Sequence, residues 1–144
     1  LHATLVPGYF RAVAPAGEQR ARPDRFIVDP HMTILVAVRD QRDDGEDVDP
    51  TASIIGAVMV RVYDTPPDPS MVPRRRAHVE ALVVDQAHRR TGVGTALMAA
   101  ATAWAQARGT SEILLTVWAG NAAGEAFYER LGYRVVSRAL GKAI

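Results

Sequence analysis

The chain has 144 residues, 48% hydrophobic and 23% charged, with a formal net charge of +1, so a single domain spanning 1–144 around one core is expected. That charge offers no general field for nucleic acid or an anionic membrane, and the lack of cysteine excludes disulfides, thiolate metal sites and a cysteine nucleophile. No apolar run approaches the roughly 20 residues of a bilayer span, and the start does not read as a signal peptide, so a cytoplasmic protein is expected.

In chain order, Leu1 to Pro30 is broken by Pro7, Gly8, Pro15, Pro23 and Pro30 and holds at most a short helix over Tyr9 to Ala14. The run Met32 to Val38 reads as a strand. Arg39 to Pro50 carries Asp40, Asp43, Asp44, Glu46, Asp47 and Asp49 and reads as a solvated loop. Ser53 to Tyr63 is a second strand, which makes an antiparallel hairpin with the first. Asp64 to Arg76, with four prolines and Arg74-Arg75-Arg76, reads as a loop, and Ala77 to Val84 as a third strand.

From Gly92 to Arg108, Val93, Leu97, Ala100, Trp104 and Ala107 recur at helical spacing, with Gly109 as the stop. Trp104 is expected in the helix core. Glu112 to Trp118 predicts a strand buried on both faces; Trp118 at its end either packs in the core or lines a pocket. Asn121 is a good N-cap for a short helix carrying Phe127 and Leu131, ended by Gly132. A weaker strand is expected over Tyr133 to Leu140. The order strand, strand, strand, helix, strand, helix, strand predicts a mixed α/β sheet, with strands three and four parallel across a helical crossover.

The chemistry concentrates between the third strand and the long helix, in Arg89-Arg90-Thr91-Gly92-Val93-Gly94-Thr95. A helix start presents unpaired N–H groups and the positive end of a dipole. Gly92 and Gly94 let a phosphate approach the backbone, and Arg89 and Arg90 add charge that suits phosphate. Leu97 stands where a dinucleotide fingerprint needs a third glycine or a small residue, and no Gly-Lys-Ser/Thr triplet occurs. Downstream, Tyr128 adjoins the packed Phe127 at the edge of its helix's apolar face; by itself it is a boundary residue.

The turn resembles the Q/R-x-x-G-x-G/A signature of the GNAT superfamily of N-acetyltransferases, matched by Arg89, Gly92 and Gly94. A second resemblance, to N-x-x-A-x-x-F-Y-x-x-x-G-F/Y, runs through Asn121, Phe127, Tyr128, Gly132 and Tyr133, with Gly124 in place of the usual alanine. The likeness covers about residues 32 to 140 and is specific mainly over 78 to 133. It implies a GNAT-like acyl-CoA N-acyltransferase fold whose central strands splay around the cofactor, and an enzyme using acetyl-CoA without a metal. Amides from about Arg90 to Thr95, Val93 among them, would hold the pyrophosphate. Leu82, Val83 and Val84 would pair through their backbone with the pantetheine arm, Asn121 would bond its amides, and Tyr128 would touch the cofactor and protonate the departing thiolate. The family's first strand has no clear counterpart here. Either residues precede Leu1, which is not an initiator methionine, or another chain, as in a homodimer, rebuilds that wall.

An acceptor amine must be neutral to attack: at pH 7 a lysine-like amine is neutral about four times in ten thousand, an α-amine about one time in seven. Alternation places His78, Glu80 and Leu82 on one face of the third strand. Glu80 either pairs with one of Arg74 to Arg76 or reaches solvent, or it serves as base, as the resemblance implies; His78 is the second candidate. His2, His31 and His88 show no metal spacing. The expected activity is acetyl transfer to a small-molecule or peptide amine by direct attack, with an oxyanion-stabilising amide near Leu82; the alternative is a non-catalytic acyl-CoA-binding regulatory module on the same fold.

Overall fold

β-branched and apolar residues build three neighbouring strands, β1 (Met32–Val38), β2 (Ile54–Asp64) and β3 (Arg75–Val84). The computed structural model describes residues 29–39, 54–66, 69–70 and 72–142. The stretch Tyr9 to Ala14, the front wall through residue 28 and the acidic loop over residues 40–50 lie outside the described residues.

β1, β2 and β3 are antiparallel neighbours, and a short β4 (Glu112–Leu115) joins β3 in parallel, giving the order β1-β2-β3-β4. The helix α1 (Val93–Gln106) makes the crossover from β3 to β4 and packs on β1, β2 and β3. A second helix, α2 (Ala122–Arg130), follows. The described strands and helices thus form the mixed sheet the sequence predicts. Contacts divide the chain into two compact units, Ala16–Thr116 with the sheet and α1, and a second that holds Val117–Ile144 with α2.

The core lies between one sheet face and α1: Val58, Val60 and Val62 of β2, Ala77 and Val79 of β3, and Leu97, Met98, Ala101 and Ala105 of α1 are buried. The i, i+4, i+8 series Leu97, Ala101, Ala105 ends in small residues, which lets the helix lie close to the valines beneath. Gly56 permits the same closeness at the helix start. A Cβ there would meet Leu97 Cδ1 at 3.0 Å, the Val83 carbonyl at 3.0 Å and Val93 Cγ1 at 3.2 Å.

Four expectations need correction. The buried stripe of α1 is rotated from the one predicted: Ala100 and Ala107 are exposed, and Trp104 is half-buried with the Arg108 guanidinium 3.8 Å from its ring centroid. β3 begins at Arg75, inside the expected loop, because Arg75 clasps Asp64 across the hairpin through Nε and Nη2, both at 2.8 Å. β4 ends at Leu115 and is half-buried throughout, not buried on both faces. Residues 133–140 carry no strand and make no ladder among the described residues, and Val135 and Val136 stand 70% and 72% exposed. The Tyr133 amide goes instead to the Tyr128 carbonyl at 3.0 Å, and strand propensity without a pairing strand does not make a ladder. Among the described residues no helix is long and apolar enough to cross a membrane.

Candidate active site

A β-bulge lies in the middle of β3. Met59 faces Ala81 and Val60 faces Val79, so Glu80 is the extra residue. Leu82 then stands opposite Val58 of the core, whereas His78 stands opposite Arg61 on the other face. The expected shared face of His78, Glu80 and Leu82 is therefore corrected: the bulge leaves Glu80 with His78 and turns Leu82 away. The ladder with β4 covers only Arg76 to Val79. Beyond it, residues 80–84, including Leu82, Val83 and Val84, have no ladder partner on that edge among the described residues.

After β3 a short 3-10 turn, Gln86–His88, leads into the glycine turn. Arg90 has φ 65° and Gly92 φ 92°, both left-handed. For Arg90 this costs about 1–2 kcal/mol, against almost nothing for glycine. The first intrahelical bond at the helix start is the Ala96 amide to the Gly92 carbonyl at 3.0 Å, and no side chain caps α1. Among the described residues, nothing accepts the amides of Arg90, Thr91, Gly92, Val93, Gly94 and Thr95. The first turn of α1 holds no acidic residue. Such an array of free N–H groups is a seat for an anion.

Side chains brace the turn. Arg89 Nε donates to the Val84 carbonyl at 3.2 Å, and Thr91 Oγ1 to the His88 carbonyl at 2.7 Å. Arg39 Nη2 lies 2.9 Å from His88 Nε2, and arginine can only donate. His88 Nε2 is therefore the acceptor, and Nδ1 carries the proton given to Asp85 Oδ2 at 2.8 Å. The His88 hydrogen bond holds the Asp85 carboxyl below its usual range.

Glu80 does not pair with Arg74 to Arg76. Arg75 serves Asp64, and Arg76 Nε lies 3.0 Å from Glu112 Oε2. Its partners are His78, Nδ1 to Oε1 at 3.4 Å, and Arg61, Nε to Oε1 at 3.8 Å. The sequence reading missed Arg61 and its anchor Asp29. The available signal was a single charge inside the otherwise apolar run Ile54 to Val62.

In the second unit Asn121 caps α2, its Oδ1 accepting the Gly124 amide at 3.1 Å, which leaves Nδ2 as its donor group. Gly124 suits this cap, since a Cβ there would stand 2.5 Å from Asn121 Nδ2. Tyr128 sits edge-on to Phe127 and Tyr133, ring centroids at 5.0 and 5.7 Å. Burial first, and then Tyr133, raise its phenol above the ordinary value of 10.0.

The sequence matches the acetyltransferase (GNAT) family over residues 4–133. The chain belongs to that family. As a GNAT acetyltransferase it is an acyltransferase enzyme, and its fold is shared by solved structures. A single-site mutant of protein BH1408 from Bacillus halodurans is 23% identical, covering 99% of this chain and 84% of its own, with a TM-score of 0.82. The aminoglycoside 6'-N-acetyltransferase AAC(6')-Ig of Acinetobacter haemolyticus is 18% identical over 84% of this chain and 75% of its own, with a TM-score of 0.65. AAC(6')-Iy in complex with the bisubstrate analogue CoA-S-monomethyl-acetylneamine is 20% identical over 100% of this chain and 86% of its own, with a TM-score of 0.66. No curated protein sequence matches this GNAT chain.

Proposed function

We propose that residues 1–144 act as one domain that moves the acetyl group of acetyl-CoA to a primary amine by direct attack in a ternary complex. The observation that carries this reading is the row of amides from Arg90 to Thr95 with no acceptor among the described residues, beside a β3 whose β4-side edge has no ladder partner beyond Val79 among them. The amides take the pyrophosphate, with Arg89 and Arg90 supplying charge. The backbone of Leu82, Val83 and Val84 pairs with the pantetheine arm as an added strand would. Asn121 donates from Nδ2. A bisubstrate analogue that joins CoA to an amine, bound by a protein of the same fold, supports an amine acceptor.

The bound substrate supplies an activated thioester carbonyl. Glu80 removes a proton from the amine, with His78 as the neighbouring relay, and the neutral nitrogen forms the new N–C bond. An amide near Leu82 takes the oxyanion. The C–S bond then breaks, Tyr128 gives its proton to the thiolate, and the second proton of the new amide nitrogen leaves through solvent, from which the phenolate regains one. Its raised phenol stays protonated across the neutral range, as a donor must.

Calorimetry tests the cofactor: CoA binds, whereas ATP and NAD do not, and no CoA uptake at millimolar ligand overturns the reading. Release of CoA thiol with spermidine, kanamycin A, tyramine and a short peptide then tests the acceptor class. Glu80→Gln lowers kcat/KM most steeply at pH values below the amine's pKa; an unchanged pH profile removes Glu80 from the mechanism.

A further inference from the structure

The sheet face away from α1 gathers one carboxylate and a fixed chain of partners around it. Asp29 is anchored twice in the turn before β1, its Oδ1 accepting the His31 amide at 2.9 Å and its carbonyl the Met32 amide at 3.0 Å. Its Oδ2 accepts Arg61 Nη1 at 3.0 Å, and Arg61 Nη2 reaches Met32 Sδ at 3.5 Å. With both Nη groups held, Arg61 presents Nε to Glu80. The contacts of Arg61 and His78 both fall on Oε1 of Glu80, at 3.8 and 3.4 Å. Oε2 has no partner among the described residues.

We propose that Arg61, held by Asp29, is a positioning residue for acetyl transfer: with His78 it fixes Oε1 of Glu80, so that Oε2 takes the proton of the acceptor amine. This rests on Glu80 being the base. The magnitudes separate positioning from stability. The Glu80 and Arg61 side chains are 38% and 42% exposed and 3.8 Å apart, too far for a hydrogen bond. Such a pair adds little to folding, and an exposed carboxylate on a bulge would otherwise sample several rotamers. Arginine suits the task because one planar group meets Asp29, Met32 and Glu80 in different directions; lysine offers a single point charge.

The test is a double-mutant cycle of Arg61→Met with Glu80→Gln, assayed with spermidine, kanamycin A and tyramine, plus Arg61→Lys and the control Arg75→Met. Arg61→Met is expected to lower kcat about tenfold, as misplacement of a reacting group does. The KM for acetyl-CoA should stay within about twofold, Arg61→Lys should recover part of the loss, and Arg75→Met should be neutral. In the Glu80→Gln background the Arg61 change should cost less than about twofold more. A full tenfold loss in that background, or none in the native one, overturns the positioning role. Full activity of Glu80→Gln alone overturns the base reading and this proposal with it. A crystal structure of Arg61→Met gives a readout independent of the amine: Oε1 should leave His78 Nδ1, and an unmoved carboxylate counts against the proposal.

Discussion

The two helices begin with opposite chemistry. α2 is closed by its own chain, since Asn121 Oδ1 accepts the Gly124 amide and Glu125 places an acid in the first turn. α1 starts at a left-handed Gly92 with no side chain over its amides, no acid in its first turn, and Arg89 and Arg90 just upstream. A helix start left open forgoes about 1 kcal/mol of capping. Under the proposed function the amides without a partner among the described residues take an external anion, which sets a terminus capped for folding beside one open to a ligand.

The largest effect should come from closing α1. Gly92→Asp places a carboxylate over the amides, and CoA affinity should fall about 100-fold, near 2.7 kcal/mol. The neutral Gly92→Asn should lose about tenfold. A Cβ at position 92 meets no protein atom within 4 Å, so the cost is the backbone strain of φ 92°, which Asn and Asp bear best after glycine. Melting temperature should therefore move by less than about 5 °C in either variant. Equal CoA affinity of the Asp and Asn variants in calorimetry would break the comparison.

Next is the donor proposed on α2. Tyr128→Phe should lower kcat about 10- to 100-fold, because thiolate leaves without help more readily than most groups. Since the phenol is raised above 10.0, the alkaline limb it sets should lie above pH 10 in the native enzyme and vanish in the variant. The folded state then holds this proton more tightly than the unfolded one. Its contribution to stability is undiminished below that pH and declines as pH rises through it.

The smallest effect should come from opening α2. Asn121→Ala should cost about 1 kcal/mol, read as a melting temperature lower by about 4 °C. A shift in melting without any change in CoA affinity would assign Asn121 to the fold alone.

The glycine turn and the Asn121 cap were legible because each is local: Gly92 and Gly94 sit where a helix must start, and Asn121 lies three residues before the amide it caps. The bulge at Glu80 was not, because a strand's own alternation runs unbroken through it and only the partner's register, Met59 to Ala81 and Val60 to Val79, reveals the extra residue. Arg61 and Asp29 were hidden for the same reason, being brought to Glu80 by pairing over long sequence distance. The rotated stripe of α1 shows a different limit. Leu97 was read correctly, but alanines are interchangeable in a pattern, and the sheet beneath chooses Ala101 and Ala105 over Ala100 and Ala107.

Gly56 is not itself among the residues proposed to meet a substrate, yet it stands opposite Val84 in the ladder and sets the height at which α1 rests on the floor of the sheet. A methyl group there pushes on Leu97, Val93 and the Val83 carbonyl together, and so tilts the helix start proposed to hold the diphosphate. Random mutagenesis scored for weakened coenzyme capture should therefore return hits at position 56, one layer behind Val83, Val84 and Val93.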